Sequence, residues 1–370
     1  MSAIRRSAHA VAHWTAAGLV LVDSLTNRPL PASPDDVALL DRLWEWTSVD
    51  RLAAAVGRPA DEVRSRLARF RDHGLIEDLS SPAPSVARAA VDWRPWGAAT
   101  AWFHQATRDV GFDADATGQP SRLAAPLMPR PQWPRRDGPR VALDPPPTAG
   151  ALPETLLARR TWRRFGDAPL TRGDLSALLG LTWAVQAWGW AADDCRLPLK
   201  TSPSGGACHS IEVYLLALSV EGLAPGWYHY DADAHALSGV APADAARVGV
   251  YLPGQSSFAR ASGIFVMTSV FDRVLWKYRS ARAYRVILLE AGHLAQTFCL
   301  VASWLGLAPF TTAAVAESAI EADLGLVDMR ESVLYAAGVG ARPSDAPGWA
   351  PFPDGTTFRR TPPDWRRSPP

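Results

Sequence analysis

A long apolar segment in the last third of the chain limits the possible folds most strongly. Residues 282–307 read RAYRVILLEAGHLAQTFCLVASWLGL, with apolar side chains at almost every angle around a helix. Glu290, His293 and Gln296 interrupt the run, and such side chains are costly in lipid unless they have partners. The segment therefore predicts a long helix buried in the core of a soluble protein, and we expect no membrane-spanning segment.

Strand and helix patterns alternate around this helix. Four segments are rich in β-branched and aromatic residues and predict strands: SIEVYLLAL, GWYHYDADAHALSGV, GIFVMTSV and SVLYAAGVG. The second of them contains YDADAHA, which indicates a hairpin. TRGDLSALLGLTWAVQ and PETLLARRTWRRF have helical spacing, and Pro153 is expected at the start of the latter helix. Strands mixed with helices around one buried helix predict an α+β sandwich.

The length of 370 residues exceeds the usual size of one hydrophobic core and predicts two unequal domains. Residues 1–80 contain a strand segment, WTAAGLVLVDSL, then three helical segments and a final strand segment, GLIEDL. This order is typical of a winged helix-turn-helix domain. In its first helix we expect Trp44 on the apolar face with Val37, Leu40 and Leu43.

A connector and a tail complete the predicted organisation. Residues 81–153 contain an aromatic cluster, which we expect to pack against the larger domain, and a proline-rich stretch that suits neither helix nor sheet interiors. Residues 154–345 form the larger domain, and residues 346–370 form a proline-rich tail. The aromatic cluster consists of Trp93, Trp96, Trp102 and Phe103.

The overall charge gives no general attraction to nucleic acid or to an anionic membrane. Lys plus Arg number 38 and Asp plus Glu number 37, for a net charge of +1. Arg64, Arg66, Arg69 and Arg71 crowd the third helix of the small domain, where DNA binding, peptide binding and simple packing all remain open. We expect neither nucleic acid nor membrane as a partner.

Cysteine usage indicates a reducing environment. Cys195, Cys208 and Cys299 are widely separated and form no Cys-x-x-Cys pair, which argues against a disulfide framework or a structural zinc site. The N-terminal sequence MSAIRRSAHAVAHW has no long apolar stretch, unlike a signal peptide. We therefore expect a cytoplasmic protein without a bound metal.

Two polar motifs in the larger domain are candidates for a binding site. In RRTWRRF, Arg159 and Arg163 are four residues apart and would share a helical face, either as a phosphate clamp or as a solvated surface. KTSPSGGACHS combines small side chains, hydroxyls and backbone amides, which suit a flat ligand or a tight turn equally.

Polar residues in and near the long helix leave several roles open. Glu290 and His293 have the Glu-x-x-His spacing of di-iron bundles, but the sequence lacks a second such pair, and His293 is better explained as a hydrogen-bonded core histidine. Gly292 is expected to allow close packing of the helix. Lys277 and Tyr278 lie side by side just before the helix, as surface residues or as a proton-transfer pair.

The order of the motifs resembles one family. RRTWRRF, SPSGGACHSIEVYLLAL, GWYHYDADAHAL, WKYRSARAYRVILLEAGHLAQTFCLVASWLGL and YAAGVGAR resemble successive blocks of the SagB-type azoline dehydrogenases, a branch of the FMN-dependent nitroreductase fold. The resemblance covers residues 154–342, and WFHQATRDVGF extends it upstream. It implies a nitroreductase-like α+β fold in an intertwined homodimer, with FMN at the subunit interface.

The resemblance also implies roles for individual residues. Lys277 and Tyr278 correspond to the catalytic pair, the arginines to the grip on the FMN phosphate and ribityl chain, and the serine-glycine loop to the border of the flavin. The implied FMN-binding residues are Arg159, Arg160, Arg163, Ser202, Ser204, Gly205, Gly206, Gln296 and Arg342. Thr297 stands where the family often has asparagine, which leaves the role of that position open.

The implied reaction is the oxidation of a thiazoline or oxazoline to an azole in a ribosomally made precursor peptide, in concert with a cyclodehydratase. A ring proton passes to Lys277 or Tyr278 and a hydride to flavin N5, with reoxidation by oxygen. Two alternatives remain: an NAD(P)H-dependent nitroreductase or other peptide-tailoring oxidoreductase, and a binding function dominated by the N-terminal domain.

Overall fold

The computed structural model describes residues 3–81, 89–109, 147, 149–192 and 195–344. Most of the proline-rich part of the connector and the tail predicted at residues 346–370 lie outside these ranges. Within them the chain forms an N-terminal unit, an aromatic connector segment and a larger α+β domain.

Within residues 3–81 the N-terminal unit has five strands and three helices. The elements are β1 (Ile4–Arg6), β2 (Ala10–Thr15), β3 (Gly18–Asp23), β4 (Arg28–Pro31), α1 (Pro34–Asp41), α2 (Val49–Val56), α3 (Ala60–Asp72) and β5 (Ile76–Asp78). β2, β3 and β4 form an antiparallel sheet, and β1 pairs with β5. The three helices enclose a core of their own that contains Leu43, Phe70 and Leu75.

Local signals set the helix boundaries in this unit. At the start of α1, the Ser33 hydroxyl accepts a hydrogen bond from the Asp36 amide and the Asp36 carboxylate accepts one from the Ser33 amide, which is a capping box. α3 begins after Pro59 as predicted, and Gly74 follows its end with φ of +73°. α1 ends three residues before Trp44, which is 67% exposed, so its predicted place on the apolar face is wrong.

The three helices and the following strand appear in the predicted order. β5 pairs with the N-terminal strand β1, and a wing hairpin is not established by the described residues, so the winged-helix assignment stays a prediction. The arginines of α3 bond within the unit. Their partners are Asp50 and Asp61 for Arg64, Asp36 and Glu62 for Arg66, the Pro31 carbonyl for Arg69 and Asp78 for Arg71.

The connector packs against both neighbouring units. A 3-10 turn (Val91–Trp96) precedes α4 (Ala98–Ala106). Trp93 and Trp96 are buried in the core of the larger domain, as predicted for the aromatic cluster. Trp102 instead contacts the N-terminal unit, where its ring lies 5.0 Å from that of His13.

A buried charged cluster ties the connector to the larger domain. Arg108 pairs with Asp328 and, at 2.5 Å, with Glu321. His104 lies between the Tyr284 hydroxyl and the Asp328 carboxylate, at 2.8 and 3.0 Å. Burial alone would raise the pKa of Asp328, but the His104 hydrogen bond and the Arg108 cation hold that pKa well below its usual range.

The larger domain contains a six-stranded antiparallel sheet, a separate hairpin and six helices in its described residues. The elements are α5 (Ala151–Ala158), α6 (Arg172–Thr182), β6 (Ala187–Ala192), β7 (Cys195–Leu199), β8 (Ile211–Ala217), β9 (Gly226–Asp231), β10 (Ala236–Pro242), α7 (Val248–Tyr251), β11 (Gly263–Val270), α8 (Asp272–Leu275), α9 (Arg282–Trp304), β12 (Ala308–Thr312), α10 (Glu317–Leu324) and β13 (Glu331–Gly340). The strand order is β10-β9-β8-β11-β13-β12, and β6 pairs with β7.

Both faces of the sheet are covered, because alternate residues of the central strands point to opposite sides. On β8, Val213 and Leu215 join the core under α6 and α9, whereas Tyr214 and Leu216 join the core under α7 and α10. β11 lies between β8 and β13 and is almost entirely buried. The four predicted strand segments and the predicted hairpin are observed as β8, β9–β10, β11 and β13.

The helix predicted for PETLLARRTWRRF is shorter than expected. α5 begins at Ala151 and ends at Ala158, and Arg159 is extended with φ of −57° and ψ of 124°. Beyond it, the Trp162 amide donates to the Pro309 carbonyl at 2.9 Å, so the chain lies beside β12. This sheet-edge pairing replaces the helical bonds, and the predicted i, i+4 relation of Arg159 and Arg163 is wrong.

The predicted long helix is α9, with 23 residues. It is long and apolar enough to cross a membrane by length and composition alone, and half of its most apolar window is buried inside the domain. The core helix of a protein that never enters a membrane can have the same length and composition. These properties therefore do not test whether the protein has a membrane partner, and the absence of one stays a prediction. Gly292 and His293 are exposed, so the predictions of close packing at Gly292 and of a core position for His293 are wrong.

Candidate active site

The loop before β8 requires glycine at two consecutive positions. Gly206 has φ of +63°, a left-handed conformation that side chains other than glycine rarely adopt. A Cβ on Gly205 would lie 2.3 Å from Cγ1 of Val286, in the first turns of α9. The loop therefore packs directly against the start of the long helix, and its two glycines have no side chains to cover their backbone.

Lys277 and Tyr278 reach this same loop from the turn after α8. The amides of both residues donate to the Val274 carbonyl, which shapes the turn. Lys277 Nζ donates to the Gly206 carbonyl at 3.1 Å, and a Cβ on Gly206 would lie 2.3 Å from the Tyr278 hydroxyl. The structure thus brings together residues 71 positions apart in sequence, with Lys277 exposed and Tyr278 half-buried.

Glu290 anchors the loop from the buried side of α9. The residue is 3% exposed, and its carboxylate accepts hydrogen bonds from the Ser204 hydroxyl at 2.8 Å, the Ser210 hydroxyl at 3.4 Å and the Ile211 amide at 3.4 Å. Burial raises the pKa of Glu290, and these donors oppose the rise. The sequence shows Glu290 only as a polar interruption of the apolar segment and by its spacing to His293, because its hydrogen-bond partners are far away in the chain.

Two further contacts fix the same loop along α9. The hydroxyls of Ser202 and Thr297 are 2.6 Å apart, and His293 Nδ1 lies 3.1 Å from the Pro203 carbonyl. Gln296 is exposed on the same helix, next to Thr297. Thr297, noted in the sequence only as a departure from the family pattern, is thus a structural partner of the loop.

The predicted arginines lie towards the other end of α9. Arg342, just after β13, donates to the carbonyls of Leu307 and Ser303, and its guanidinium lies 5.6 Å from the Trp162 ring centre. Burial lowers the pKa of Arg342. Arg160 donates to the Leu157 carbonyl at 2.9 Å.

The positive charge of Arg159 affects the pKa values of Cys299, on α9, and of the neighbouring Arg160. Burial raises the pKa of the Cys299 thiol to about 11, and Arg159 opposes that rise. Burial lowers the pKa of Arg160, and the neighbouring Arg159 lowers it further. Arg163 is exposed on the same extended segment.

The loop and the arginines suit an elongated ligand with a flat end and an anionic end. Along α9, the loop contact at Thr297 and the Arg342 contact at Ser303 are about 9 Å apart, from a rise of 1.5 Å per residue. The bare Gly205–Gly206 backbone allows close approach of a planar ring, and guanidinium groups bind phosphate. The residues present therefore fit FMN. Within the described ranges, no group of three His, Cys, Asp or Glu side chains is arranged to hold a metal ion.

Comparison with known proteins agrees with this fold. The chain is 34% identical over 145 residues to the trifolitoxin-processing protein TfxB of Rhizobium leguminosarum bv. trifolii, covering 37% of this chain and 38% of that protein. It is 37% identical over 111 residues to the microcin B17-processing protein McbC of Escherichia coli, covering 28% of this chain and 40% of that protein. The chain thus spans about two fifths of the length of each of these relatives.

A solved structure shows the same fold. A chain of the E. coli microcin synthetase McbBCD complex with truncated pro-MccB17 bound superposes with a TM-score of 0.51 at 22% identity, covering 69% of this chain and 97% of that chain. The predicted nitroreductase-like α+β fold is confirmed. The model of the Nitroreductase family matches residues 156–341, half of the chain, and the protein therefore belongs to the Nitroreductase family.

Proposed function

We propose that this protein is a SagB-type, FMN-dependent dehydrogenase that oxidises thiazoline or oxazoline rings of a ribosomally made peptide to thiazoles or oxazoles. The contact of Lys277 and Tyr278 with the Gly206 backbone carries the proposal, because it unites the predicted catalytic pair with the predicted flavin loop. The similarity to two proteins named for processing trifolitoxin and microcin B17 supports a peptide substrate.

Some of these residues would bind the cofactor, and Lys277 or Tyr278 would transfer the proton. When bound, FMN supplies the two-electron acceptor for the dehydrogenation, with oxygen as the final oxidant. The guanidinium groups bind the phosphate, while the loop and Gln296 line the flat end of the site. The arginines are Arg159, Arg160, Arg163 and Arg342, and the loop residues are Ser202, Ser204, Gly205 and Gly206.

Aromatisation removes a ring proton and a hydride from the azoline, so the protein must provide a base. Lys277 Nζ is held by the Gly206 carbonyl and lies 5.7 Å from the centre of the Tyr278 ring. The two groups therefore lie close together beside the loop. One of them takes the ring proton at the edge of the loop.

The exposed apolar face of α9 and the two peptide-processing relatives support proposals for the partner proteins. Leu288, Leu289 and Trp304 expose 42%, 61% and 59% of their surface on α9, next to the candidate site, which supports a homodimer that covers this helix. A cyclodehydratase would supply the azoline peptide. We place these partners and the reaction in the cytoplasm.

The test is oxidation of an azoline peptide by purified protein, followed by mass spectrometry, with a loss of two hydrogens per ring. Lys277→Met and Tyr278→Phe are expected to retain FMN and to lose azole formation. Arg279→Met, in the same turn, removes a neighbouring cation and should leave the rate unchanged. Normal rates in both site variants, or a colourless protein that does not take up FMN, would contradict the proposal.

A second candidate is an NAD(P)H-dependent nitroreductase, which the family match itself favours. Anaerobic mixing with NADPH separates the two. Bleaching of the flavin at the rate of turnover would support the reductase, whereas bleaching by azoline peptide alone would support the dehydrogenase.

A further inference from the structure

A tryptophan of the connector contacts the backbone of the Lys277–Tyr278 turn. Trp96 is 2% exposed, and its indole N–H donates to the carbonyl oxygen of Tyr278 at 2.9 Å. Trp96 lies outside residues 156–341, the part of the chain that matches the family model. The turn that carries the proposed base is therefore bonded to a segment that the family match does not include.

The bonded carbonyl lies where a helical turn stops. The amides of Lys277 and Tyr278 both bond back to the Val274 carbonyl, and α9 begins only at Arg282. Carbonyl groups at the end of a helical turn lack partners within it and need an outside donor. The Trp96 N–H supplies such a donor to the residue whose side chain faces Gly206.

The Trp96 ring also contacts both ends of this segment. It lies edge-on to Phe271, just before α8, with ring centres 6.1 Å apart, and edge-on to Tyr284, in the first turn of α9, at 6.2 Å. Both partners are buried. Trp96 thus contacts the start, the carbonyl and the end of the stretch between residues 271 and 284, and its bond to the carbonyl distinguishes it from Trp93, which contacts the same two rings.

We propose that Trp96 is a positioning residue that keeps Lys277 and Tyr278 against Gly206, so that the connector is part of the active site. This inference rests on the proposed function of that pair. Loss of the indole donor lets the turn move, and a displacement of about 1 Å at a reacting group lowers turnover by about 100-fold.

The test compares Trp96→Phe with Trp93→Phe. Both tryptophans are buried in the same aromatic cluster, and Trp93 donates to a different carbonyl, that of Met329, at 2.7 Å. Trp96→Phe should lower kcat by about 10- to 100-fold with little change in KM or FMN content, whereas Trp93→Phe should stay within about threefold of wild type. Equal losses in both variants, or an unchanged kcat in Trp96→Phe, would overturn the inference.

A second variant and a second readout keep the test independent of folding and of the substrate. Benzothienylalanine at position 96 keeps the ring shape and replaces N–H by sulfur, so it should reproduce the loss of kcat. Amide hydrogen exchange of residues 271–284 should quicken more in the Trp96 variants than in Trp93→Phe, because the Trp93 ring also contacts Phe271 and Tyr284 but its N–H bonds outside this stretch. If wild-type protein oxidises no azoline peptide, the proposed function fails, while unchanged exchange in the Trp96 variants refutes the positioning role itself.

Discussion

The Ser204 hydroxyl donates a hydrogen bond of 2.8 Å to the carboxylate of Glu290, from the candidate flavin loop to the buried side of the central helix. The same hydroxyl accepts a bond from the His209 amide at 3.0 Å. Ser204 is therefore one of the links between the helix and the chain that leads into β8. The geometry of the loop depends on a carboxylate 86 residues away.

Replacing Glu290 by alanine should loosen the loop. The change leaves the Ser204 and Ser210 hydroxyls and the Ile211 amide without their acceptor, at a cost of about 3 kcal/mol in the free energy of unfolding. FMN retention after gel filtration should fall. Glu221→Ala, at an exposed position, should change stability by less than about 0.5 kcal/mol. Equal effects of the two changes in urea unfolding would contradict the anchoring role.

Replacing Gly206 by alanine should displace Lys277 and Tyr278, the proposed catalytic pair. A Cβ there would lie 2.3 Å from the Tyr278 hydroxyl and 2.8 Å from Lys277 Nζ, and we expect azole formation to fall by about 100-fold. Gly57→Ala is a matched control, since Gly57 has φ of +65° and no atom within 4 Å of the added Cβ. Both changes should cost about 1 to 2 kcal/mol of stability through backbone strain. The prediction fails if Gly206→Ala retains the rate seen with Gly57→Ala.

Replacing Arg342 by methionine should weaken FMN binding through the phosphate. Loss of a charge-assisted contact corresponds to about 10- to 100-fold in the dissociation constant. Riboflavin, which has no phosphate, should bind wild type and variant equally in a fluorescence titration. Arg260→Met, which removes an exposed arginine paired with Asp167, should leave both affinities unchanged. An equal loss for FMN and riboflavin would place Arg342 away from the phosphate.

The His229–Glu212 pair should make stability depend on pH. The hydrogen bond to Glu212 at 2.8 Å raises the pKa of His229 above its ordinary 6.5. Burial alone would raise the pKa of Glu212, but the His229 hydrogen bond and the Arg273 cation outweigh it and lower that pKa below 4.5. The histidine contribution is therefore complete below pH 6.5 and is lost as pH rises through the raised value. The carboxylate contribution is lost as pH falls below 4.5.

His229→Gln measures this dependence. The variant should be less stable than wild type by about 1 kcal/mol near pH 6, with the difference shrinking towards pH 9. Glu212→Gln, which breaks the pair from the other side, should show the same trend. Urea unfolding at three pH values is sufficient, and a constant difference across them would rule out the pair as its source.

Much of the sheet was predictable because its strands are bounded by clear turns. GIFVMTSV lies between helical turns and is apolar on both faces, and β11 is buried on both faces. β12 and the β6–β7 hairpin were missed, because APFTT and CRLPL are short, contain proline and lack alternation. The α5 prediction ran too far, since the pairing of Trp162 with Pro309 is a long-range contact that helical spacing cannot reveal.

The individual residues of the candidate site could be picked out from the sequence, but the contacts between them could not. Residue patterns alone left Lys277 and Tyr278 as possible surface residues, and the family resemblance supplied their link to the glycine loop. No spacing rule joins residues 206 and 277, because the contact forms where the loop and α8 both pack against α9. Trp96 and Glu290 were visible only as an aromatic residue and a polar interruption, since their partners lie 182 and 86 positions away.

The charged cluster of Arg108 and His104 limits how far the chain can be truncated from its N-terminal side. A fragment restricted to the family boundaries would keep Asp328 and Glu321 in the interior and discard the cation that neutralises them. Removing one partner of a buried pair in this way costs about 3 to 5 kcal/mol, against a total of about 5 to 15 kcal/mol for a typical domain. Recombinant versions that begin near residue 150 should therefore precipitate, because the upstream segment that carries Arg108 is needed to keep the larger domain folded.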